Sequence, residues 1–144
     1  MVEMAQGNVP FFEKNLTEVI KRNVRAGRLV YSTDMESFAR KARVIFLAED
    51  SPEHLADLAL HVARLAPKPP VLAIVTPVSV GTAADIEKRL KTANLKATIV
   101  SQPVFFTLGC AVEDFNWPDR IILGTSSNEA VLAMLEQIGT VDNI

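Results

Sequence analysis

Short apolar runs alternate with amphipathic stretches along the chain. Five of the runs have the length of strands and are rich in β-branched residues: LVYST at 29–33, RVIFLAE at 43–49, PVLAIVT at 70–76, ATIVS at 97–101 and RIILGT at 120–125. Several of them are apolar throughout, which is typical of strands covered on both faces. The pattern therefore predicts about five strands in a mostly parallel sheet.

The stretches between the runs have the periodicity of helices. Leu55, Leu58, Val62 and Leu65 repeat at spacings of three and four, and Ile86 and Leu90 do the same in AADIEKRLKTAN. The residues expected at helix caps and helix ends are Ser51 with Pro52, Thr82, Asn15 with Glu18, Ser126 with Glu129, Gly27 and Gly139. Each apolar stripe predicts one buried helix face.

Regular alternation of strands and helices predicts an α/β fold. Helices pack on both faces of such a sheet, and right-handed crossovers join its parallel strands. We expect one domain over 1–144, with an N-terminal helical segment at 1–28, β-α repeats at 29–139 and a tail at 140–144.

Composition narrows the class of partner. Of the 144 residues 49% are apolar and 22% charged, and the net charge is -2. Because the Lys and Arg residues are not massed in one patch, we expect neither nucleic acid nor an anionic membrane as a partner. The runs VIFLA and VLAIV are far shorter than the roughly 20 residues of a membrane span, and no secretory signal or cysteine pair is visible. We expect a cytoplasmic protein.

Ligands of open parallel sheets bind at the carboxyl ends of the strands. The residues at these ends are Glu49, Asp50 and Ser51 after the second run, Thr76, Pro77 and Val78 after the third, and Ser101, Gln102 and Pro103 after the fourth. Glu49 and Asp50 offer oxygen ligands to a divalent cation, but a solvated turn explains two neighbouring carboxylates better, and no metal is expected.

Three segments in order resemble the nucleotide-sugar dehydrogenases, typified by UDP-glucose 6-dehydrogenase. NVPFFEKNLTEVIKRNVRAGRLVYSTD (8–34) resembles the stretch in which an E-P-G-L element precedes a helix and an R-F-T-T-D strand. TPVSVGTAADIEKRL (76–90) is similar to the S-T-V-P-V-G-T segment, and SQPVFFTLGCAVEDFNWPDRIILGT (101–125) to the N-P-E-F-L-R-E-G-S-A segment. The resemblance implies a Rossmann-like fold, NAD as the cofactor and oxidation of a sugar alcohol to a carboxylate.

The chain departs from this family at the positions that carry its chemistry. The resemblance places residue 8 after the first two strands of the family fold, and no G-x-G-x-x-G turn, whose backbone N–H groups cradle a pyrophosphate, occurs in the sequence. Val104 occupies the position of the N-P-E-F-L glutamate. Pro77 occupies that of the S-T-V-P-V-G-T threonine, with Thr76 beside it as a residual candidate. Valine cannot transfer a proton.

We therefore expect no catalytic residue and no cofactor in the isolated chain, with NAD implied only by the resemblance. Weak contacts to a nucleotide or nucleotide sugar are expected from Glu49, Ser51, Thr76 and Gln102. The leading interpretation is a non-catalytic relic that acts as a binding or interaction module. The alternatives are a fragment or split part of an NAD-dependent UDP-glucose 6-dehydrogenase completed by other segments, and an independent small-molecule binder.

Two further expectations concern packing. Phe115 and Trp117, within AVEDFNWPDRIILG, are expected to bury apolar area against the end of the sheet, with contact to a ligand as the alternative. Loss of two central strands would leave a gap, so we expect the run at 29–33 to pair directly with the run at 43–49. The alternative is pairing of the exposed edge with another copy or a partner chain.

Overall fold

The structure is a computed structural model that describes residues 9–138. The described residues divide into two compact units, one of residues 9–34 and 105–120 and one of residues 35–104 and 121–138. The first contains α1 (Leu16–Arg25) and α5 (Ala111–Asn116). The second contains α2 (Met35–Ala39), β1 (Val44–Leu47), α3 (Pro52–Leu65), β2 (Val71–Ile74), α4 (Thr82–Thr92), β3 (Thr98–Ser101) and α6 (Asn128–Ile138). Two compact units can still form one cooperatively folding domain, so the single domain stays a prediction.

A parallel sheet with the strand order β1-β2-β3 organises the second unit. Val44 pairs with Val71, and Val71 pairs with Thr98, so the three strands run in register from their first residues. α3 connects β1 to β2, and α4 connects β2 to β3. Three of the five predicted strands, the parallel pairing and the helical crossovers are confirmed. No described helix is long and apolar enough to cross a membrane.

Apolar side chains of β2 point alternately to two cores. Leu72 and Ile74 lie in a larger cluster with residues of α3 and α4, while Ala73 lies in a smaller cluster with Met134 of α6. Side chains alternate between the faces of a strand, so a run that is apolar at every position can fill both cores. The predicted helices on both faces of the sheet are therefore confirmed.

The predicted strand at 29–33 is wrong. Local hydrogen bonds hold both of its ends: the Leu29 N–H donates to the carbonyl of Asn23 in α1 (3.2 Å), and the Asp34 N–H donates to the Ser32 hydroxyl (2.9 Å). Val30, at its centre, is 61% exposed. These local bonds and the exposure of Val30 outweigh the β propensity of the run, since that propensity depends on packing against neighbours.

The predicted strand at 120–125 is reduced to one antiparallel bridge. Gly124 exchanges two backbone hydrogen bonds with Ser101, of 2.9 and 2.8 Å, at the end of β3. Gln102 donates its N–H to the carbonyl of Ile74 on the other side of the strand (2.8 Å). Residue 103 would be the next to donate to this segment, but Pro103 has no backbone N–H, so the bridge cannot extend in that direction. The described sheet has three strands rather than about five.

The expected direct pairing of 29–33 with the next run is also wrong, because 29–33 forms no strand. Within the described residues β1 pairs only with β2, so its other edge has no strand partner. Phe46, in the middle of β1, is about half exposed. The alternative, pairing of this edge with another copy or a partner chain, stays a prediction.

The helix caps were predicted with mixed success. Ser51 is the N-cap of α3 and its hydroxyl accepts the His54 N–H (3.4 Å), with Pro52 at the first helical position, as predicted. The N-caps predicted at Thr82 and Ser126 are each displaced by one residue. Gly81 is the N-cap of α4, and at the start of α6 it is the Ser127 hydroxyl that accepts the Ala130 N–H. Asn15 precedes α1 but is left-handed, with φ of 66°, and makes no side-chain cap. Gly27 follows α1 as expected, and Gly139 lies outside the described residues.

Candidate functional site

The carboxyl end of β1 leads into a turn closed by its own side chains. One Glu49 carboxylate oxygen, Oε1, accepts the N–H of Ser51 at 3.1 Å, and His54 Nδ1 lies 3.9 Å from the same oxygen. The Ser51 hydroxyl in turn accepts the His54 N–H, so two backbone donors at the start of α3 have partners within the chain. The sequence-predicted residues Glu49 and Ser51 are therefore brought together, but as a helix cap.

Thr76 joins the end of β2 to the end of β1. Its hydroxyl donates a hydrogen bond to the carbonyl oxygen of Glu49 at 3.0 Å. The hydroxyl hydrogen that Thr76 could offer a ligand is thus already used. Pro77, which follows it, has neither a backbone N–H nor a polar side-chain atom.

The side chain of Gln102 has a buried oxygen with unused hydrogen-bonding capacity. Its backbone N–H is bound to Ile74, and the residue is only 7% exposed, yet its side-chain oxygen Oε1 is buried without a partner among the described residues. Such an acceptor can take a hydroxyl or amide donor from a ligand. Val104, two residues on, offers no group that can exchange a proton.

This edge of the sheet does not fit the pyrophosphate of a dinucleotide. Phosphate sites at helix N-termini use free backbone N–H groups and favour small uncharged residues nearby. At the start of α3 the donors of Ser51 and His54 are occupied, Pro52 has none, and Glu49 and Asp50 add negative charge. Repulsion between these carboxylates and a phosphate would oppose binding. Over residues 9–138, no three His, Cys, Asp or Glu side chains are grouped so as to hold a metal ion.

The expected burial of Phe115 and Trp117 is wrong. Phe115 is 51% exposed and Trp117 is 76% exposed, and α5, which contains Phe115, has no buried residue. A packing role in the sheet therefore does not account for these aromatic side chains.

An apolar groove in the first unit was missed by the sequence analysis. It has a volume of about 800 Å³ and is lined by α1, α5 and the segments that precede them, including Phe11, Phe12, Leu16, Phe106, Leu108 and Phe115. The rings of Phe106 and Phe115 pack edge to face with centroids 6.4 Å apart. Glu13 also lines the groove, and its Oε2 accepts the Gly109 N–H at 3.0 Å. The pairs Phe11–Phe12 and Phe105–Phe106 were the available signal, since adjacent aromatic residues cannot all be buried on one face of an element.

A family model described as "UDP-glucose/GDP-mannose dehydrogenase family, NAD binding domain" matches residues 1–140. The chain belongs to this family. Among curated relatives, UDP-glucose 6-dehydrogenase of Rhizobium meliloti is 30% identical over 138 residues, which are 88% of this chain and 32% of that protein. The Bacillus subtilis enzyme of the same name is 30% identical over 93% of this chain and 33% of its own length. This family chain thus spans about a third of the curated relatives that it matches.

Solved structures support the fold. A UDP-glucose dehydrogenase from Pyrobaculum islandicum superposes with a TM-score of 0.83 at 22% identity, over 98% of this chain and 36% of that one. A GDP-mannose dehydrogenase from Pseudomonas aeruginosa gives a TM-score of 0.86 at 16% identity with the same coverage. The predicted family membership and Rossmann-like fold are confirmed, and the domain type that the family model describes binds NAD.

Proposed function

We propose that this chain is a non-catalytic member of the dehydrogenase family that acts as a binding or interaction module. The observation that carries the proposal is the composition of the carboxyl edge of the sheet. Gln102, Pro103 and Val104 follow β3, and the resemblance places the family's glutamate at Val104, so the side chain expected to exchange a proton is an inert aliphatic one. General acid and base groups each contribute about 10²–10⁴-fold to a rate.

The hydrogen bonds of the neighbouring residues support the same proposal. Thr76, the residual candidate, donates its hydroxyl to the Glu49 carbonyl, and the turn after β1 uses its own backbone donors. Nucleotide or nucleotide-sugar binding at this edge is therefore weak, with the free oxygen of Gln102 as the main remaining acceptor.

A specific observation favours a second candidate, a fragment or split part of an NAD-dependent UDP-glucose 6-dehydrogenase. The chain covers 32% of the Rhizobium meliloti relative, and the outer edge of β1 has no strand partner in the described sheet. An unpaired edge can accept a strand from another polypeptide. A companion chain could then supply a strand and the parts of the relative that this chain does not match.

One experiment separates the two candidates. The chain is combined with the remaining part of the Rhizobium meliloti relative, and formation of NADH is followed in the presence of NAD and UDP-glucose. The Val104→Glu variant is assayed in parallel, with Val78→Glu, at the end of another strand, as the matched control. The non-catalytic proposal predicts no turnover with the unaltered chain even where the two polypeptides copurify. NADH formation by the unaltered chain would overturn it in favour of the split enzyme.

A further inference from the structure

Large apolar side chains meet in the groove of the first unit while remaining in contact with solvent. Phe12 is 86% exposed and Leu108 is 99% exposed, and both line the groove with Phe11 and Phe106. Exposed apolar patches of this kind mark binding sites in folded proteins. The volume of about 800 Å³ is within the usual range for small-molecule sites, which are mostly apolar with a few polar groups that fix orientation.

The polar group that matters in this groove is the carboxylate of Glu13. Its Oε2 accepts the N–H of Gly109 at 3.0 Å, which fixes the carboxylate in position. Its other oxygen, Oε1, is buried and has no hydrogen-bond partner among the described residues. A buried acceptor that lacks a donor costs free energy, and a donor on a ligand would remove that cost.

The apolar walls of the groove and the Glu13 carboxylate together determine which class of ligand fits. Aromatic and aliphatic walls favour a flat apolar group, and the Phe106–Phe115 pair offers ring edges and faces to stack against. A carboxylate with a free oxygen favours a cationic N–H donor, because a charge-assisted hydrogen bond is stronger than a neutral one. It disfavours phosphates and carboxylates, which carry the same sign of charge.

We propose that the groove is a binding site for aromatic amines, with the ring between α1 and α5 and the ammonium group donating to Glu13 Oε1. The site lies wholly within the first unit and uses none of the residues at the carboxyl edge of the sheet. It goes beyond the proposed function, which rests on residues of the second unit.

Three ligands with the same ring test the proposal on the unaltered chain. They are 2-naphthylmethylamine, which is cationic, 2-naphthylmethanol, which is neutral, and 2-naphthoate, which is anionic. Binding is measured by calorimetry and by the amide resonance of Gly109, whose N–H contacts the same carboxylate. We expect saturable binding of the amine, a shift of the Gly109 resonance, and binding of the naphthoate at least tenfold weaker. Equal binding of amine and naphthoate, or no binding of the amine, would overturn the proposal.

A variant pair tests the role of the carboxylate. Glu13→Gln keeps the shape and one acceptor oxygen but removes the charge, whereas Glu18→Gln makes the same change at an exposed position of α1 that does not line the groove. We expect about a tenfold loss of amine affinity in the first variant, no change in the second, and little effect of either on the neutral alcohol. If Glu13→Gln does not fold, the comparison of the three ligands on the unaltered chain still decides.

A second copy of the chain is the competing occupant of the groove. Sedimentation velocity over a range of protein concentrations, with and without 2-naphthylmethylamine, tests it. Monomer throughout, or a dimer that the amine dissociates, supports the amine site. A dimer that persists at saturating amine, together with the absence of amine binding, would assign the groove to the second copy and contradict the proposal.

Discussion

The carboxylate of Glu13 accepts the backbone N–H of Gly109, a residue 96 positions away in the sequence, at 3.0 Å. This bond joins the segment before α1 to the segment before α5. Both segments belong to the first unit, whose two stretches of chain are separated by the whole sheet-forming region. The contact therefore helps to define the first unit, as well as the floor of the apolar groove.

Removing this contact should loosen the first unit locally. Glu13→Ala is expected to lower the free energy of local opening at Gly109 by about 1.5–3 kcal/mol, because hydrogen bonds to charged groups contribute about that much. Hydrogen exchange at the Gly109 amide measures the change, with Glu18→Ala as the matched control and the β2 amides as the internal reference. Unchanged exchange at Gly109 in Glu13→Ala would show that the bond does not stabilise the unit.

The single bridge between Ser101 and Gly124 gives a second prediction. Gly124→Pro removes the N–H that donates to the Ser101 carbonyl, and we expect a loss of about 2–3 kcal/mol in the free energy of unfolding. Gly124→Ala keeps both hydrogen bonds, and the added Cβ would meet the Ser101 Cβ at an ordinary 3.5 Å, so a change of about 0.5 kcal/mol or less is expected. Urea unfolding followed by circular dichroism compares them. Equal stability of the two variants would contradict the predicted contribution of this bridge to stability.

Helix α6 offers a matched pair of apolar positions. Met134 is fully buried in the smaller core, whereas Leu132 is 61% exposed on the same helix. We expect Met134→Ala to lower the free energy of unfolding by about 2–4 kcal/mol and Leu132→Ala by about 0.5 kcal/mol or less. The same urea experiment measures both. Similar losses would mean that α6 does not pack on the sheet by this face.

Neutralising the turn after β1 should improve the binding of phosphates. The double variant Glu49→Gln with Asp50→Asn removes two negative charges, and we expect the affinity for UDP at low salt to rise about three- to tenfold. Asp57→Asn with Glu129→Gln changes the net charge equally at exposed positions elsewhere and serves as the control. An equal gain in both double variants would attribute the effect to net charge rather than to this turn.

The sequence predicts the sheet well where burial decides the structure. Leu72, Ile74 and Ile99 are fully buried and lie in apolar runs of the kind that is typical of strands covered on both faces, so β2 and β3 could be predicted. The run at 29–33 has similar composition but is held by local bonds to Asn23 and Ser32. Composition alone cannot reveal that competition.

The candidate sites were likewise predictable from the sequence only in part. Residues at strand ends, such as Glu49, Thr76 and Gln102, could be placed from the order of strands, since parallel strands end at one edge. Which of their polar atoms remain free depends on individual hydrogen bonds, and only the structure gives these. The apolar groove was signalled only by the adjacent aromatic pairs Phe11–Phe12 and Phe105–Phe106. The contact between Glu13 and Gly109 could not be predicted, because the two residues are far apart in sequence.

The central claim, that this chain retains the fold of an NAD-binding domain without the means to use NAD, is tested most directly by calorimetric titration of NAD into the purified chain. In the turn after β1 the N–H groups of Ser51 and His54 are occupied, and Glu49 and Asp50 add negative charge. We therefore expect no binding tighter than about 1 mM, which corresponds to about 4 kcal/mol. Saturable binding of NAD in the micromolar range would contradict the account.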